Sequence, residues 1–185
     1  MSRVIVSEFV TLDGVMEAPG EWQPPFWHDD MGKFKFDELF ASGALLLGRV
    51  TYQEFAAVWP SITDEVGFAD RMNSLPKYVA SRTLQEAEWN ASLIKGDVAE
   101  EVSRLKQQPG EDILVYGSAN FLDTLMQHDL VDEYRLMVHP LVLGSGKRLF
   151  KDGSHATALR LVDTKTFPSG VIVLTYEPAG KEAEG

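Results

Sequence analysis

The most informative segment is Leu45-Leu46-Leu47-Gly48-Arg49-Val50-Thr51-Tyr52, in which an unbroken apolar run stops at a glycine and a helical pattern begins. Such a run is typical of a strand buried on both faces of a sheet. Where that strand leads into a helix, the free N–H groups of the first turn and the helix dipole favour an anion. Gly48 permits close approach to the backbone, and Arg49 and Thr51 add donors suited to phosphate. The segment predicts an α/β fold with an anion site, although an ordinary turn before a surface arginine has the same pattern.

A second junction of the same kind is Ile113-Leu114-Val115-Tyr116-Gly117-Ser118-Ala119-Asn120, followed by a helical pattern from Phe121. The carboxyl ends of parallel strands meet at one edge of a sheet, and ligands of open α/β sheets bind beyond that edge. Two glycine-ended strands could therefore hold one diphosphate from two sides. Neither junction is a GxGxxG fingerprint or a Walker loop, so the pair does not identify a nucleotide.

Composition restricts the classes of partner. The chain has 185 residues, about one domain, with 17 Lys and Arg against 28 Asp and Glu and a net charge of −11. This balance argues against binding to nucleic acid or to an anionic membrane, because both need a basic face. No cysteine is present, which excludes a disulfide framework and a thiolate zinc site. No clustered spacing indicates a metal, no apolar run reaches about 20 residues, and a strand pattern opens the chain, so we expect a cytoplasmic protein.

Strand and helix patterns alternate through the first two thirds of the chain and strands follow at the end. The predicted elements are a strand at 4–10, a loop at 16–30, a helix ending near Ser42-Gly43, a helix at 64–73, strands at 77–81 and 89–94, a helix from the N-cap Asp97 to Gln107, a strand at 133–138 and a hairpin of 159–166 with 171–176. This order predicts one domain over residues 1–178, with a mixed sheet and helices on both faces. Residues 179–185 are expected to be a disordered tail.

Several short motifs, in this order, resemble the dihydrofolate reductase superfamily. They are Thr11-Leu12-Asp13-Gly14, Gly48-Arg49-Val50-Thr51-Tyr52, Ser81-Arg82-Thr83-Leu84 and Tyr116-Gly117-Ser118. Within that superfamily, Leu130-Val131-Asp132-Glu133 and the segment from His139 to Gly146 are closer to the C-terminal reductase domain of the riboflavin-biosynthesis deaminase/reductase. The similarity extends over roughly residues 2–177. The zinc signature of the partner deaminase domain is absent from this sequence.

This resemblance implies a three-layer α/β/α fold with a mixed, mainly parallel sheet, a C-terminal antiparallel hairpin and bound NADPH. Gly48, Arg49 and Thr51 would meet the cofactor phosphates, with Arg49 near the 2′-phosphate. Ser81 and Arg82 would lie beside the adenosine half. The residues implied for the diphosphate are Gly117, Ser118, Ala119 and Asn120, and the family often has a cis peptide at Gly117–Ser118.

The resemblance also suggests where the substrate lies. Asp13 is the catalytic candidate by likeness to the riboflavin-type reductases, and its alternative is an Asp-Gly turn. Asp30, or Asp29, falls near the acidic residue of dihydrofolate reductase, and its alternative is the N-cap of the helix that carries Phe34. Trp22 and Trp27 are candidate substrate-binding residues in an aromatic lid, unless this aromatic cluster only covers a sheet edge or a dimer face.

Two functions are compatible with these features. The first is an NADPH-dependent reductase of a small planar heterocycle, resembling 5-amino-6-ribosylaminouracil or dihydrofolate. The second is a regulatory or sensor module that binds NADP(H) without turnover. A homodimer is expected by analogy with riboflavin-type reductases, through the segment 131–142.

Overall fold

The computed structural model describes residues 1–154 and 156–180, whose strands form one eight-stranded sheet. The strands are β1 (Val4–Thr11), β2 (Ser42–Gly48), β3 (Lys77–Ala80), β4 (Ala91–Ile94), β5 (Asp112–Val115), β6 (Glu133–His139), β7 (Leu159–Thr166) and β8 (Ile172–Pro178). The α-helices are α1 (Pro19–Trp22), α2 (Asp29–Phe40), α3 (Arg49–Val58), α4 (Phe68–Ser74), α5 (Val98–Gln107) and α6 (Ala119–Gln127). Two short 3₁₀ helices lie at Pro24–Phe26 and Trp59–Ser61.

The strand order is β4-β3-β2-β5-β1-β6-β8-β7. The pairs from β4 through β6 are parallel, and β8 pairs antiparallel with both β6 and β7. This confirms the predicted mixed, mainly parallel sheet with a C-terminal hairpin. Because β6 lies between β1 and β8, the segment 131–142 offers no free strand edge along β6, and the homodimer stays a prediction.

Alternating side chains of the central strands enter two cores, one on each face of the sheet. Val4 and Val6 pack with residues of α5 and α6, whereas Ile5 and the buried Leu45 and Leu47 pack with residues of α2, α3 and α4. Strands buried on both faces need apolar runs rather than alternation, which explains the unbroken sequence of β2. The result is the three-layer α/β/α arrangement.

Both ends of α2 differ from the predictions made from the sequence. Gly43 does not stop this helix, because Ala41 caps it and β2 begins at Ser42, whose hydroxyl donates to the Glu38 carbonyl at 2.8 Å. Nor is Asp29 or Asp30 the N-cap, because the His28 side chain accepts the Asp30 amide. The predicted loop at 16–30 contains α1 and a 3₁₀ helix. Of the predicted tail, residues 181–185 lie outside the described residues.

The strand order creates a crevice at the carboxyl ends of the parallel strands. From β1 the chain crosses by α2 to β2 on one side, and from β5 it crosses by α6 to β6 on the other. Pairing of β1 with β5 ends at Val6, whereas pairing with β6 continues to Thr11. Residues 7–9 of β1 therefore border a gap at the switch point, where open α/β sheets bind ligands. No described helix is long and apolar enough to cross a bilayer.

Candidate active site

The two glycine-ended strands meet as the sequence predicts, at what we call the glycine edge, residues 48–51 and 117–120. The Gly48 amide donates to the Gly117 carbonyl at 2.9 Å. A Cβ on Gly48 would lie 2.3 Å from Ser118 Oγ, and one on Gly117, at φ +129°, would lie 2.6 Å from Thr51 Oγ1. Neither position has room for a side chain. The Gly117–Ser118 peptide is cis, in agreement with the expectation from the family.

The glycine edge brings together the N-termini of α3 and α6, and neither helix has a side-chain cap. By contrast, the Asp97 carboxylate caps α5 by accepting the Glu100 amide at 2.9 Å. The first-turn N–H groups of α3 and α6 are thus without a capping side chain at the same edge of the sheet. Two adjacent helix N-termini with their dipoles form a good site for a diphosphate.

The residues predicted for the adenosine half follow β3, at the same edge. Ala80, the last residue of β3, pairs with Gly48, so Ser81 and Arg82 extend beyond it. Ser81 Oγ accepts the amides of residues 83 and 84 at 3.2 and 3.1 Å, which fixes a local turn. Arg82 and Arg49 are both exposed, and Arg49 donates to Gln53 at 2.7 Å. Both arginines therefore follow strands that end at this edge of the sheet.

A cleft of about 490 Å³ opens beside the glycine edge. Thr51, Ser118, Ala119 and Asn120 line it on that side. Residues 16–19 and Trp27 also line the cleft. Another part of the lining, which we call the outer wall, is largely apolar and aromatic. That wall consists of Val50, Phe55, Trp59, Phe68 and Met72.

The floor of the cleft carries charge. Its lining includes residues 7–9 of β1 and Lys35 of α2, and together with Glu38 these form what we call the charged floor. Lys35 is buried, with Nζ 2.5 Å from Glu38 Oε1 and 3.1 Å from Ser7 Oγ. The ammonium also lies 4.3 Å from the centre of the Tyr116 ring, a cation–π contact.

Glu38 is the common partner in this network. Its Oε1 accepts the Ser7 hydroxyl at 2.8 Å and the Tyr116 hydroxyl at 3.3 Å, and Oε2 lies 3.5 Å from Arg135 Nη1. Burial, together with the charge of Glu38, raises the pKa of Tyr116 well above its usual value. Tyr116 therefore holds its proton in the hydrogen bond to Glu38.

Glu8 and Glu38 are both buried, and each has one carboxylate oxygen without a hydrogen-bond partner among the described residues. Glu8 is 7% exposed as a whole residue, and its atom without a partner is Oε1. Burial raises the pKa of Glu8 well above its usual value, the charge of Lys35 opposes this and that of Glu38 adds to it. The signal in the sequence is the pair Ser7 and Glu8 within an otherwise apolar first strand. Helical spacing alone does not distinguish Lys35 and Glu38 from other residues of the helix.

Asp13 is not among the described residues that line the cleft. Its carboxylate accepts the Thr11 hydroxyl at 2.5 Å and the amides of Leu143 and Gly144 at 3.3 and 2.8 Å. These hydrogen bonds lower the pKa of Asp13 to about 2. With Gly14 at φ +85°, the geometry agrees with the Asp-Gly turn, and a catalytic role for Asp13 stays a prediction.

The three predicted substrate residues separate in the structure. Trp27 is 48% exposed and borders the cleft. Trp22 is buried, with its indole N–H donating to the Glu17 carbonyl at 2.9 Å and its ring packed against His139. Asp30 is exposed in the first turn of α2. Within the described part of the chain, the cleft includes Trp27 but neither Trp22 nor Asp30.

Comparison with known proteins identifies the family of this chain and one of its relatives. Over residues 2–173 the chain matches the family described as RibD C-terminal domain. It is 39% identical over 178 residues to the uncharacterized protein YyaP of Bacillus subtilis (strain 168), with 94% of each chain covered.

Two solved structures are similar in fold at low identity. A putative riboflavin biosynthesis protein from Shewanella sp. PV-4 superimposes with a TM-score of 0.77 at 20% identity, covering 95% of this chain and 98% of that one. Dihydrofolate reductase from Enterococcus faecalis, complexed with NADP(H), gives 0.65 at 13% identity and 96% coverage of both chains. The predicted dihydrofolate reductase-like fold is confirmed, and the chain belongs to the RibD C-terminal domain family.

Proposed function

We propose that this protein is an NADPH-dependent reductase of a small planar heterocycle of the pyrimidine or pterin class. Membership of a family of RibD-type reductase domains supports an oxidoreductase. The observation that carries the cofactor assignment is the glycine edge, where two helix N-termini without side-chain caps meet around Gly48 and Gly117. NADPH, when bound, supplies a hydride to the substrate.

The residues of the glycine edge fit a dinucleotide phosphate bridge. Gly48 and Gly117 leave the backbone bare, the first turns of α3 and α6 offer N–H donors, and Thr51 and Ser118 add hydroxyl groups beside the cleft. Arg49 and Arg82 offer planar guanidinium forks at its margin, which suit a 2′-phosphate. These side chains would bind and orient the cofactor without taking part in bond changes.

The cleft suits a small ring with polar edges and an apolar remainder. Its volume lies in the usual range for small-molecule sites. Lys35, Glu8 and the unpaired side of β1 can hydrogen-bond ring heteroatoms, while the apolar outer wall and Trp27 can cover the ring and exclude water. A compound resembling 5-amino-6-ribosylaminouracil or dihydrofolate has this combination.

Cofactor choice is tested by titrating the tryptophan fluorescence with NADPH and with NADH. We expect NADPH to bind more tightly than NADH. Arg49→Ala and Arg82→Ala should each lower the affinity for NADPH by about tenfold and leave the affinity for NADH unchanged, because only NADPH carries the 2′-phosphate. Arg104→Ala is the matched control, since Arg104 is an exposed arginine of α5 that pairs with Glu101. Equal losses for both cofactors would contradict the 2′-phosphate assignment.

Turnover is tested by following NADPH oxidation with a panel of pyrimidines and pterins. Oxidation that depends on one member of the panel supports the reductase. Binding of NADPH without oxidation by any member would favour the alternative, a module that senses NADP(H).

A further inference from the structure

Reduction of a double bond requires a proton as well as a hydride, so an acid has to reach the cleft. Among the described residues that line it, the carboxyl groups belong to Glu8, Glu17 and Glu54. Glu17 and Glu54 are exposed, and Glu17 accepts the Lys147 amide at 2.9 Å. Glu8 is buried, and it lines the cleft one residue beyond Ser7.

We propose that Glu8 is the general acid of this reductase, the group that protonates the substrate as the hydride is received. The inference rests on the proposed function, and it adds to that function a catalytic residue from the middle of β1. It also restricts the substrate to compounds whose reduced bond carries a basic heteroatom, a C=N or C=O group of a planar ring.

The position of Glu8 in the sheet gives it access to a ligand. Pairing between β1 and β5 ends at Val6, so Glu8 lies two residues past the last pair, where β1 borders the cleft. Its Oε1 is buried and has no hydrogen-bond partner among the described residues. Buried polar atoms are nearly always hydrogen-bonded in folded proteins, and because Glu8 lines the cleft, a ligand bound there would supply the partner that its carboxyl lacks. An ionised carboxylate in this place would be costly, which favours the neutral acid.

The other groups near the floor are poorly suited to give up a proton. The Lys35 ammonium is held between Glu38 and Ser7, and the Tyr116 hydroxyl is committed to Glu38 with its pKa raised well above the usual value by burial. Asp13 lies off the cleft, and its pKa of about 2 keeps it ionised. Burial raises the pKa of Glu8, so this carboxyl keeps its proton at a pH where ordinary carboxyls have lost theirs.

The step is balanced within the proposed reaction. The carbon of the C=N or C=O bond gains the hydride that NADPH supplies, and the π electrons of that bond form a new N–H or O–H bond with the Glu8 proton. Glu8 is left as a carboxylate, and a proton from water restores it before the next turnover. The positive charge of Lys35 lowers the pKa of Glu8, and the negative charge of Glu38 raises it.

Two readouts test the proposal, one of them independent of turnover. In carbon-13 NMR of protein with labelled glutamate carboxyls, the Glu8 resonance is assigned by its absence from Glu8→Gln, an isosteric and neutral replacement that is first checked for folding by circular dichroism. We expect this resonance to titrate well above those of the exposed glutamates. A Glu8 carboxyl that ionises with the exposed glutamates would overturn the proposal, whatever the substrate.

The second readout uses the best substrate of the pyrimidine and pterin panel. Glu8→Gln is expected to lower kcat by ~10²- to 10⁴-fold and to remove the loss of activity at high pH, with NADPH affinity unchanged. Glu8→Asp should restore part of the activity and the pH dependence, and Asp13→Asn should keep the wild-type pH profile. Wild-type activity in Glu8→Gln would refute the role of Glu8 as the general acid without affecting the proposed reductase function. A wild-type protein that oxidises NADPH with no member of the panel would refute both the proposed function and the role of Glu8.

Discussion

The glycine edge and the charged floor border the same cleft, but the first is formed mainly by backbone groups and the second by side chains. The glycine edge consists of backbone groups from two continuous segments, and its geometry depends on the absence of side chains at Gly48 and Gly117. The charged floor depends on side chains from β1 and α2, which lie about 30 residues apart in the chain and contact Arg135 of β6. The geometry of the glycine edge should therefore be sensitive to added side-chain atoms, and the stability of the charged floor to the loss of a charged partner.

The largest expected effect follows from removing the buried cation of the charged floor. Lys35→Met would leave Glu38 buried, with its nearest partner at 2.5 Å gone and Arg135 remaining at 3.5 Å. Breaking a buried ion pair from one side typically costs about 3–5 kcal/mol, because an uncompensated charge remains in the interior. We expect a loss of that order in the free energy of unfolding, measured by urea denaturation.

The same helix offers a matched control. Lys33 forms an i,i+4 pair with Asp37 at 2.6 Å, but both side chains are largely exposed. Lys33→Met should change the free energy of unfolding by less than about 1 kcal/mol, as exposed pairs do. Adding Glu38→Gln to Lys35→Met should recover part of the loss. Similar effects of the two lysine substitutions would show that the charged floor is not a dry network.

A methyl group tests the glycine edge. In Gly48→Ala the new Cβ would lie 2.3 Å from Ser118 Oγ, 2.8 Å from the Ser118 amide nitrogen and 2.9 Å from the Phe121 Cβ. Because the nitrogen belongs to the backbone, the two junctions must separate, which we expect to cost about 1–3 kcal/mol of stability. NADPH affinity, measured by fluorescence, should fall by at least about tenfold as the two N-termini move apart.

Gly20→Ala is the control for this substitution, because a Cβ at Gly20 meets nothing within 4 Å. It should leave both the stability and the NADPH affinity close to those of the wild type. A Gly48→Ala protein that still binds NADPH normally would refute the role of the glycine edge.

The two regions also differ in how far the sequence predicts them. Each half of the glycine edge is a local pattern, a buried strand that ends in glycine before a helix, and parallel topology brings the halves together. The charged floor has no such pattern, because the partners of Ser7 lie 31 residues away in Glu38 and 28 away in Lys35. The side chain of Glu38 faces the sheet only because α2 packs there, so its burial could not be deduced from helical spacing.

Asp13 shows the reverse case, a carboxyl that a sequence motif singles out and whose contacts the motif does not predict. An Asp after the first strand matches the family pattern and suggests catalysis, yet its hydrogen-bond acceptor capacity is used by the segment around Gly144, 131 residues away. Its long-range partners, rather than its place in a motif, determine its structural role. The acidity of a carboxyl is therefore predictable here only from the folded surroundings, which is where Glu8 and Asp13 diverge.

This divergence predicts opposite pH dependences of stability. The pKa of Glu8 is raised by burial above its ordinary value of 4.5, so the folded state retains a proton that the unfolded state releases. The free energy of unfolding of wild type relative to Glu8→Gln should then be highest below that value. It should fall as the pH rises towards the folded pKa, with a slope of up to ~1.4 kcal/mol per pH unit. Urea denaturation of both proteins from acid to mildly alkaline pH measures this difference, and a flat difference would show that the pKa of Glu8 is the same in the folded and unfolded states.

The smallest effect is expected at Asp13, with the opposite sign. Hydrogen bonds lower its pKa from 3.8 to about 2, so the unfolded state takes up a proton first as the pH falls. The contribution of Asp13 to the free energy of unfolding should therefore be fully present above pH 3.8 and lost as the pH falls through about 2. Because Asp13 is close to solvent, water weakens this contribution, and Asp13→Asn should differ from wild type only slightly near neutral pH. If instead Asp13→Asn altered the stability over the pH range in which Glu8 titrates, the two carboxyls would be coupled across the cleft, and the separation of Asp13 from the charged floor would be wrong.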